Sequence, residues 1–206
     1  ILVMLAFTSD DPRRALAAGI MYTIHHMVTV GSLILASGAI EETYGTGDLT
    51  KLSGLARRDT IIAWIFAAGA FSVVGFPPFS GMWGKLMIVF EVARNGGAWA
   101  WIAIAAIIIA SFAAFLAMLR VWRKVFWGKG LPEDKVPDEL IIRKKLMAPS
   151  AALILGSLCM FIFSGIVLDV VDSASEQLLD TTAYTETVLG DEPIAVPNID
   201  EIQEGR

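Results

Sequence analysis

Apolar side chains make up 55% of the 206 residues and charged ones only 18%, with a mean hydropathy of +0.63. That is more apolar surface than a soluble core can hide, so the composition reads as an integral membrane protein. The net charge of −5 arises at the end of the chain, where ten acidic residues and one basic residue lie from Asp169 onward. Without them the membrane part is basic, as inner loops facing an anionic leaflet require. The single cysteine, Cys159, excludes an intrachain disulfide and a four-thiolate zinc or iron–sulfur site, so no metal, cofactor or redox chemistry is expected within this chain.

Residues 1–8 are largely apolar but too short for a span and lack a basic leader, so they read as the end of a helix that begins upstream. Ser9, Asp10 and Asp11 then offer capping side chains, with Pro12 at the first helical position. Residues 15–40 contain no Asp, Glu, Lys or Arg, which predicts the first complete span. Its middle falls near Met27, placing His25 and His26 close to the bilayer midplane. At about 100° per residue, Tyr22, His25, His26 and Thr29 form one polar stripe. Two readings follow: histidines bonded to neighbouring backbone carbonyls, or a proton relay through imidazoles that titrate near neutrality.

Residues 41–58 carry Glu41, Glu42, three glycines, Lys51, Arg57 and Arg58, and read as an aqueous loop with one short amphipathic turn. Residues 60–93 are apolar but interrupted by Gly75-Phe76-Pro77-Pro78-Phe79-Ser80-Gly81, with Lys85 just beyond. In lipid every backbone N–H and C=O needs an internal partner, so a break at Pro77, Pro78, Ser80 and Gly81 must be surrounded by protein or line a water-filled cavity. Discontinuous helices of this kind mark ion sites in transporters. The segment is long for one span and short for two. Two basic loops, around Lys51/Arg57/Arg58 and over 120–145, share the cytoplasmic side only if it is a single interrupted span, and the positive-inside rule favours that.

Two more spans are predicted over 96–119 and 146–168, with Trp99, Trp101, Trp122 and Trp127 as interfacial belts. Between them lies a loop with Pro132 and Pro137 and a short amphipathic helix over 138–145. Residues 169–180 extend the last helix beyond the membrane, and 181–206 are expected to be disordered. The chain therefore divides into 1–8, a transmembrane domain over 9–168 and an acidic, largely disordered tail over 169–206. The fold class is all-α: a polytopic bundle of about four spans, one of them discontinuous. Lys85 itself has two readings. A lysine in a water-poor site can exchange its proton near neutral pH, whereas one reaching an interface serves as a snorkelling anchor.

His26, the run Leu35-Ala36-Ser37-Gly38-Ala39-Ile40, Thr46-Gly47-Asp48-Leu49, Leu52-Ser53-Gly54-Leu55, and Gly75 through Lys85-Leu86 together resemble the proton-conducting antiporter subunits. These are shared by complex I, membrane-bound hydrogenases and Mrp-type multisubunit sodium/proton antiporters. The Gly84-Lys85-Leu86 form and the ending Arg120-Val121-Trp122-Arg123-Lys124-Val125-Phe126-Trp127-Gly128 are most similar to the D-type members of the Mrp group. The resemblance implies a multi-pass plasma-membrane subunit that moves protons against a monovalent cation, with other membrane subunits as partners. It assigns Lys85 to the lysine at the broken helix and His26 to the histidine of a His-x-x-x-Lys pattern. Val30 stands where that pattern has lysine, so a relay must run through His25, His26, Thr29 and water or be interrupted. A redox-driven pump subunit and a non-conducting scaffold subunit are the competing readings. An enzyme is disfavoured, because no nucleotide fingerprint, thiolate cluster or nucleophile triad is present.

Overall fold

The computed structural model describes residues 11–130 and 140–190. They form helices α1 (Pro12–Tyr44), α2 (Leu55–Arg58), α3 (Thr60–Val74), α4 (Gly81–Asn95), α5 (Gly97–Val121), α6 (Lys144–Ile162), α7 (Ser164–Leu179) and α8 (Thr182–Leu189), with a π-helical turn (Trp122–Phe126) closing α5. Among the described residues three helical stretches are long and apolar enough to cross a membrane: Pro12–Tyr44, Gly97–Phe126 and Lys144–Ile162. The fourth crossing is assembled from α3 and α4.

Helix α1 is the post around which the bundle stands. It starts as the sequence predicts, with Pro12 in the first turn and the Asp11 carboxylate accepting the Arg14 N–H at 3.3 Å, and it stops at Gly45 in a left-handed cap. Contacts along α1 set the course of the other helices. Passing from its last turn to its first, α1 meets Asp59 at Tyr44, Gly69 at Leu33, Ser72 at Thr29, Ser80 at His25 and Gly84 at Tyr22. Ala18 then packs with Ile88 and Val92. The partners climb steadily in number, so α3 and α4 run end to end, antiparallel to α1, as one interrupted span. The same holds for α6 and α7, which meet α1 through Ser150 at Ser32 and Asp172 at Arg13. Both basic loops consequently lie at one end of the bundle. There the Arg58 guanidinium donates to the Leu140 carbonyl at 3.0 Å, and the Ile142 N–H donates to the buried Asp59 carboxylate at 2.9 Å. The second oxygen of Asp59 accepts the Tyr44 hydroxyl, so one buried acid ties the ends of α1, α3 and α6 together.

Lipid tails are as apolar as leucine, so helices in a membrane associate through close packing and hydrogen bonds rather than water exclusion. The interfaces follow that rule. The faces of α1 include the buried Ala15, Ala17, Ala18, Ala36 and Ala39, and α3 brings Gly69 against Leu33. Helix α5 is the opposite case. Its most apolar window has none of its residues buried, and Trp99 and Trp101 stand exposed at its start, as interfacial belt residues should. At its far end the π-helical turn seats Phe126 against Phe66 with ring centroids 4.9 Å apart, while Trp122 stacks on Phe126.

Several boundaries differ from expectation. The predicted last span, 146–168, is two helices that meet at Phe163, where the Ser164-Gly165 pair permits a kink. No helix forms over 140–143, because the Ile142 amide is drawn to Asp59 and its side chain is buried; α6 starts at Lys144 instead. The tail is ordered further than predicted. Helix α7 carries on to Leu179 as expected, but a further helix covers Thr182–Leu189 where disorder was expected, opened by the Asp180 carboxylate accepting the Thr182 N–H at 3.0 Å. The expectations for 1–8, for the loop containing Pro132 and Pro137, and for 191–206 lie outside the described residues.

Candidate functional site

The site is built on the break. Helix α3 ends at Gly75, which has φ of +100°, a conformation open to glycine and strained for any residue with a Cβ. A helix leaves its last four carbonyls without intrahelical donors. Here all four are answered. Phe71 accepts the N–H of Gly75 and of Phe76, and Ser72 accepts Gly75 as well, at 3.0 to 3.1 Å. Val73 and Val74 accept the ammonium of Lys85, at 2.9 and 2.7 Å. The third donor of the ammonium goes to the Ser111 hydroxyl of α5 at 2.9 Å. Lys85 thus reaches back from the first turns of α4 to cap α3, with its stem crossing the open face of Gly75: a Cβ there would stand 3.0 Å from the lysine Cδ. The partial negative charge at the C-terminus of α3 favours the cation. All three acceptors of the Lys85 head group lie within the chain.

On the other side of the break lies a cluster of hydroxyls around one imidazole. His25 Nδ1 is 2.9 Å from Ser80 Oγ, Ser80 Oγ is 2.8 Å from Ser157 Oγ, and Ser157 Oγ is 3.0 Å from Ser72 Oγ. Ser72 Oγ is in turn 2.9 Å from Thr29 Oγ1, which closes back on His25 Nδ1 at 3.3 Å. One imidazole and four hydroxyls therefore form a closed ring that links α1, α3, the break and α6, and all five residues are buried. The ring is this tight because α4 starts with glycine. A Cβ on Gly81 would lie 2.0 Å from the Ser72 carbonyl oxygen and 2.8 Å from His25 Cε1. One layer away, Ser32 and Ser150 bond reciprocally, each hydroxyl donating to the other's carbonyl at 2.7 to 2.9 Å.

The predicted site residues thus separate. Lys85, His25, Thr29, Ser80 and Gly81 are brought together around the break, while Pro77 and Pro78 form its exposed crest. Tyr22 sits at the margin, edge-on to His25 at 5.8 Å and packed against Gly84. His26 does not join. It is exposed and stacks on Tyr22 at 5.9 Å between ring centroids, because a step of one residue turns a helix by about 100° and carries the second imidazole off the buried face. Within this chain His25 is enclosed by protein and His26 is not. Val30 is half-buried and outside the ring. Sequence reasoning passed over Ser72, Ser111 and Ser157. The available signal was spacing: His25, Thr29 and Ser32 recur at helical intervals of four and three, and Ser150 and Ser157 lie two turns apart on α6.

A family model described as NADH:quinone oxidoreductase/Mrp antiporter, TM, matches residues 2–116. A D-type Na(+)/H(+) antiporter subunit of Bacillus subtilis is 33% identical over 176 residues, 85% of this chain and 34% of that protein. Its counterpart in Alkalihalophilus pseudofirmus is 29% identical over 177 residues, again 85% of this chain and 34% of the relative. Among solved structures, the Mrp complex from Dietzia sp. DQ12-45-1b contains a chain that superposes with a TM-score of 0.74 at 30% identity, covering 86% of this chain and 40% of that one. The chain spans about a third of the length of these curated relatives. With the interrupted span and its lysine in the matched stretch, the chain belongs to the NADH:quinone oxidoreductase/Mrp antiporter transmembrane family.

Proposed function

We propose that this chain is part of a proton-translocating membrane subunit of a multisubunit sodium/proton antiporter in the plasma membrane, a transporter rather than an enzyme, working beside other membrane subunits. The observation that carries the reading is the Lys85 ammonium, held by two helix-end carbonyls and one hydroxyl inside a broken span. A lysine at such a site can bind and release a proton, and its acceptors keep it in place in the protonated form. His25 supports the same reading. Its ring is the titratable member of the hydroxyl ring, and hydroxyls can both donate and accept, so a proton can pass by reversal of the bonds. In this reading His25, not His26, faces the break, and the relay does not need a lysine at position 30.

The test uses the full-length protein in its complex, reconstituted in vesicles. Lys85→Ala should abolish cation-dependent proton flux while leaving assembly intact. Lys85→Arg should also abolish it, because a guanidinium keeps its proton at any accessible pH. Full antiport with arginine at this position would sink the proton-carrier role and favour a scaffold role.

A further inference from the structure

Between α3 and α5 lies a groove of about 410 Å³, lined from α3 by Trp64, Ala67, Phe71 and Val74 and from α5 and its closing turn by Phe115 and Trp122. Every side chain along its wall is aliphatic or aromatic. A cavity of this kind does not hold water, so in a bilayer its filler is hydrocarbon. From Trp64 to Val74 the groove follows α3 for about 15 Å, half of the roughly 30 Å hydrocarbon core. It therefore serves one leaflet. Its deep end is at the break, where Phe76 sits edge-on to Phe71 and to Phe115 with ring centroids 5.9 and 6.5 Å apart. Its other end opens at Trp122 and Trp127, beside the basic loops.

The charges at that end have one sign toward the groove. Arg120 and Arg123 flank Trp122 and are exposed, as are Arg57 and Lys129. The acids of the same end are engaged or placed elsewhere. Asp48 lies 3.9 Å from Lys51, Asp59 is held by Tyr44 and Ile142, and Glu41 and Glu42 belong to α1, which does not line the groove. Indoles at the headgroup level and arginines just beyond them match an anionic headgroup in the leaflet that attracts basic loops.

We propose that this groove is a binding site for an anionic phospholipid of the leaflet next to the basic loops, with one acyl chain lodged between α3 and α5 and the phosphate held at Arg120 and Arg123. The site needs only that the chain spans a bilayer and does not depend on the proton role of Lys85. It adjoins that residue all the same. The Val74 carbonyl and the Ser111 hydroxyl, one turn before Phe115, both accept from the Lys85 ammonium, so a chain lodged in the groove packs against the two helices that share the ammonium.

The test uses the full-length protein in its complex, in phosphatidylcholine vesicles doped with a photoreactive phosphatidylglycerol or with a photoreactive phosphatidylcholine bearing the same diazirine-labelled acyl chain. Cross-links mapped by mass spectrometry should fall on residues 64–74 and 115–122 and should favour phosphatidylglycerol. Arg120→Gln combined with Arg123→Gln should cut that preference by about fivefold or more, and Ala67→Phe, which fills the groove, should remove these cross-links while leaving those on the outer face of α5. Equal labelling by the two lipids would overturn the anionic site and leave only unselective bilayer contact. Lipid cross-links elsewhere on the complex but none on these residues would mean that another helix covers the groove, and would overturn it as well. Should Ala67→Phe fail to assemble, the arginine variant decides alone, since both of its positions are exposed: an unchanged preference there would sink the proposal.

Discussion

Two polar clusters lie within a few residues of each other at the break, and they are made differently. Around Lys85 the acceptors are mostly backbone: two carbonyls that helix α3 leaves over, plus Ser111. Around His25 they are all side chains: four hydroxyls, three of them from segments other than the imidazole's own helix. Carbonyls only accept, so the first cluster holds its hydrogens pointing one way. Hydroxyls turn, so the bonds among them can reverse, while the two bonds at His25 Nδ1 both follow the tautomer of the ring. The comparison teaches that one interruption in a helix can supply both a fixed cation seat and a reversible hydrogen-bonded loop. The seat depends on where the chain stops being helical, and the loop depends on what the neighbouring helices present.

The strongest way to break the comparison is to remove the close approach that both clusters share. Gly81→Ala would drive a methyl into the Ser72 carbonyl and the His25 ring, a backbone clash with no flexible group to yield. A loss of about 3 kcal/mol or more is expected, seen as failure to recover assembled complex by size-exclusion chromatography. Ser157→Ala comes next. It strips a partner from Ser72 and from Ser80, both fully buried, and should cost about 1–3 kcal/mol in thermal unfolding, together with slower proton flux in vesicles. Thr29→Val keeps the shape of the side chain and cuts the ring between Ser72 and His25. If reversal around the ring matters, its flux should fall as far as that of Ser157→Ala while its stability falls less, by about 1 kcal/mol. The smallest effect belongs to Ser111→Ala, since Lys85 keeps both carbonyls. A melting temperature within a few degrees of the parent, reflecting about 1 kcal/mol, would confirm that the lysine seat is chiefly backbone.

The broken span and Lys85 were legible in the sequence because proline, glycine and a lone charge stand out in an apolar run. The single-span topology was legible too, since the basic loops constrain it. What hid was direction. Nothing local says which of His25 and His26 faces the break; the choice is made by Gly81 and Gly84, which let α4 lie directly on the face of α1 that carries Tyr22 and His25. The serines hid for a different reason. In a span, one serine among alanines and leucines changes the hydropathy little, and it becomes a site member only when hydroxyls from other helices meet it, as Ser72, Ser80 and Ser157 do. The helix at Thr182–Leu189 and the unwound stretch before α6 were missed because each depends on a single carboxylate, Asp180 in one case and the distant Asp59 in the other.

Gly75 has an evolutionary consequence. Two separate demands fall on its missing side chain: a backbone angle of φ +100° and the passage of the lysine stem. A second-site change that shortens or redirects Lys85 would relieve the second demand but not the first, and it would leave the Val73 and Val74 carbonyls without donors. No single compensating replacement therefore rescues a side chain at position 75. Glycine and lysine at this break can be exchanged only as a set, by rebuilding the end of α3, and a lineage that keeps the cation seat has no gradual path away from either.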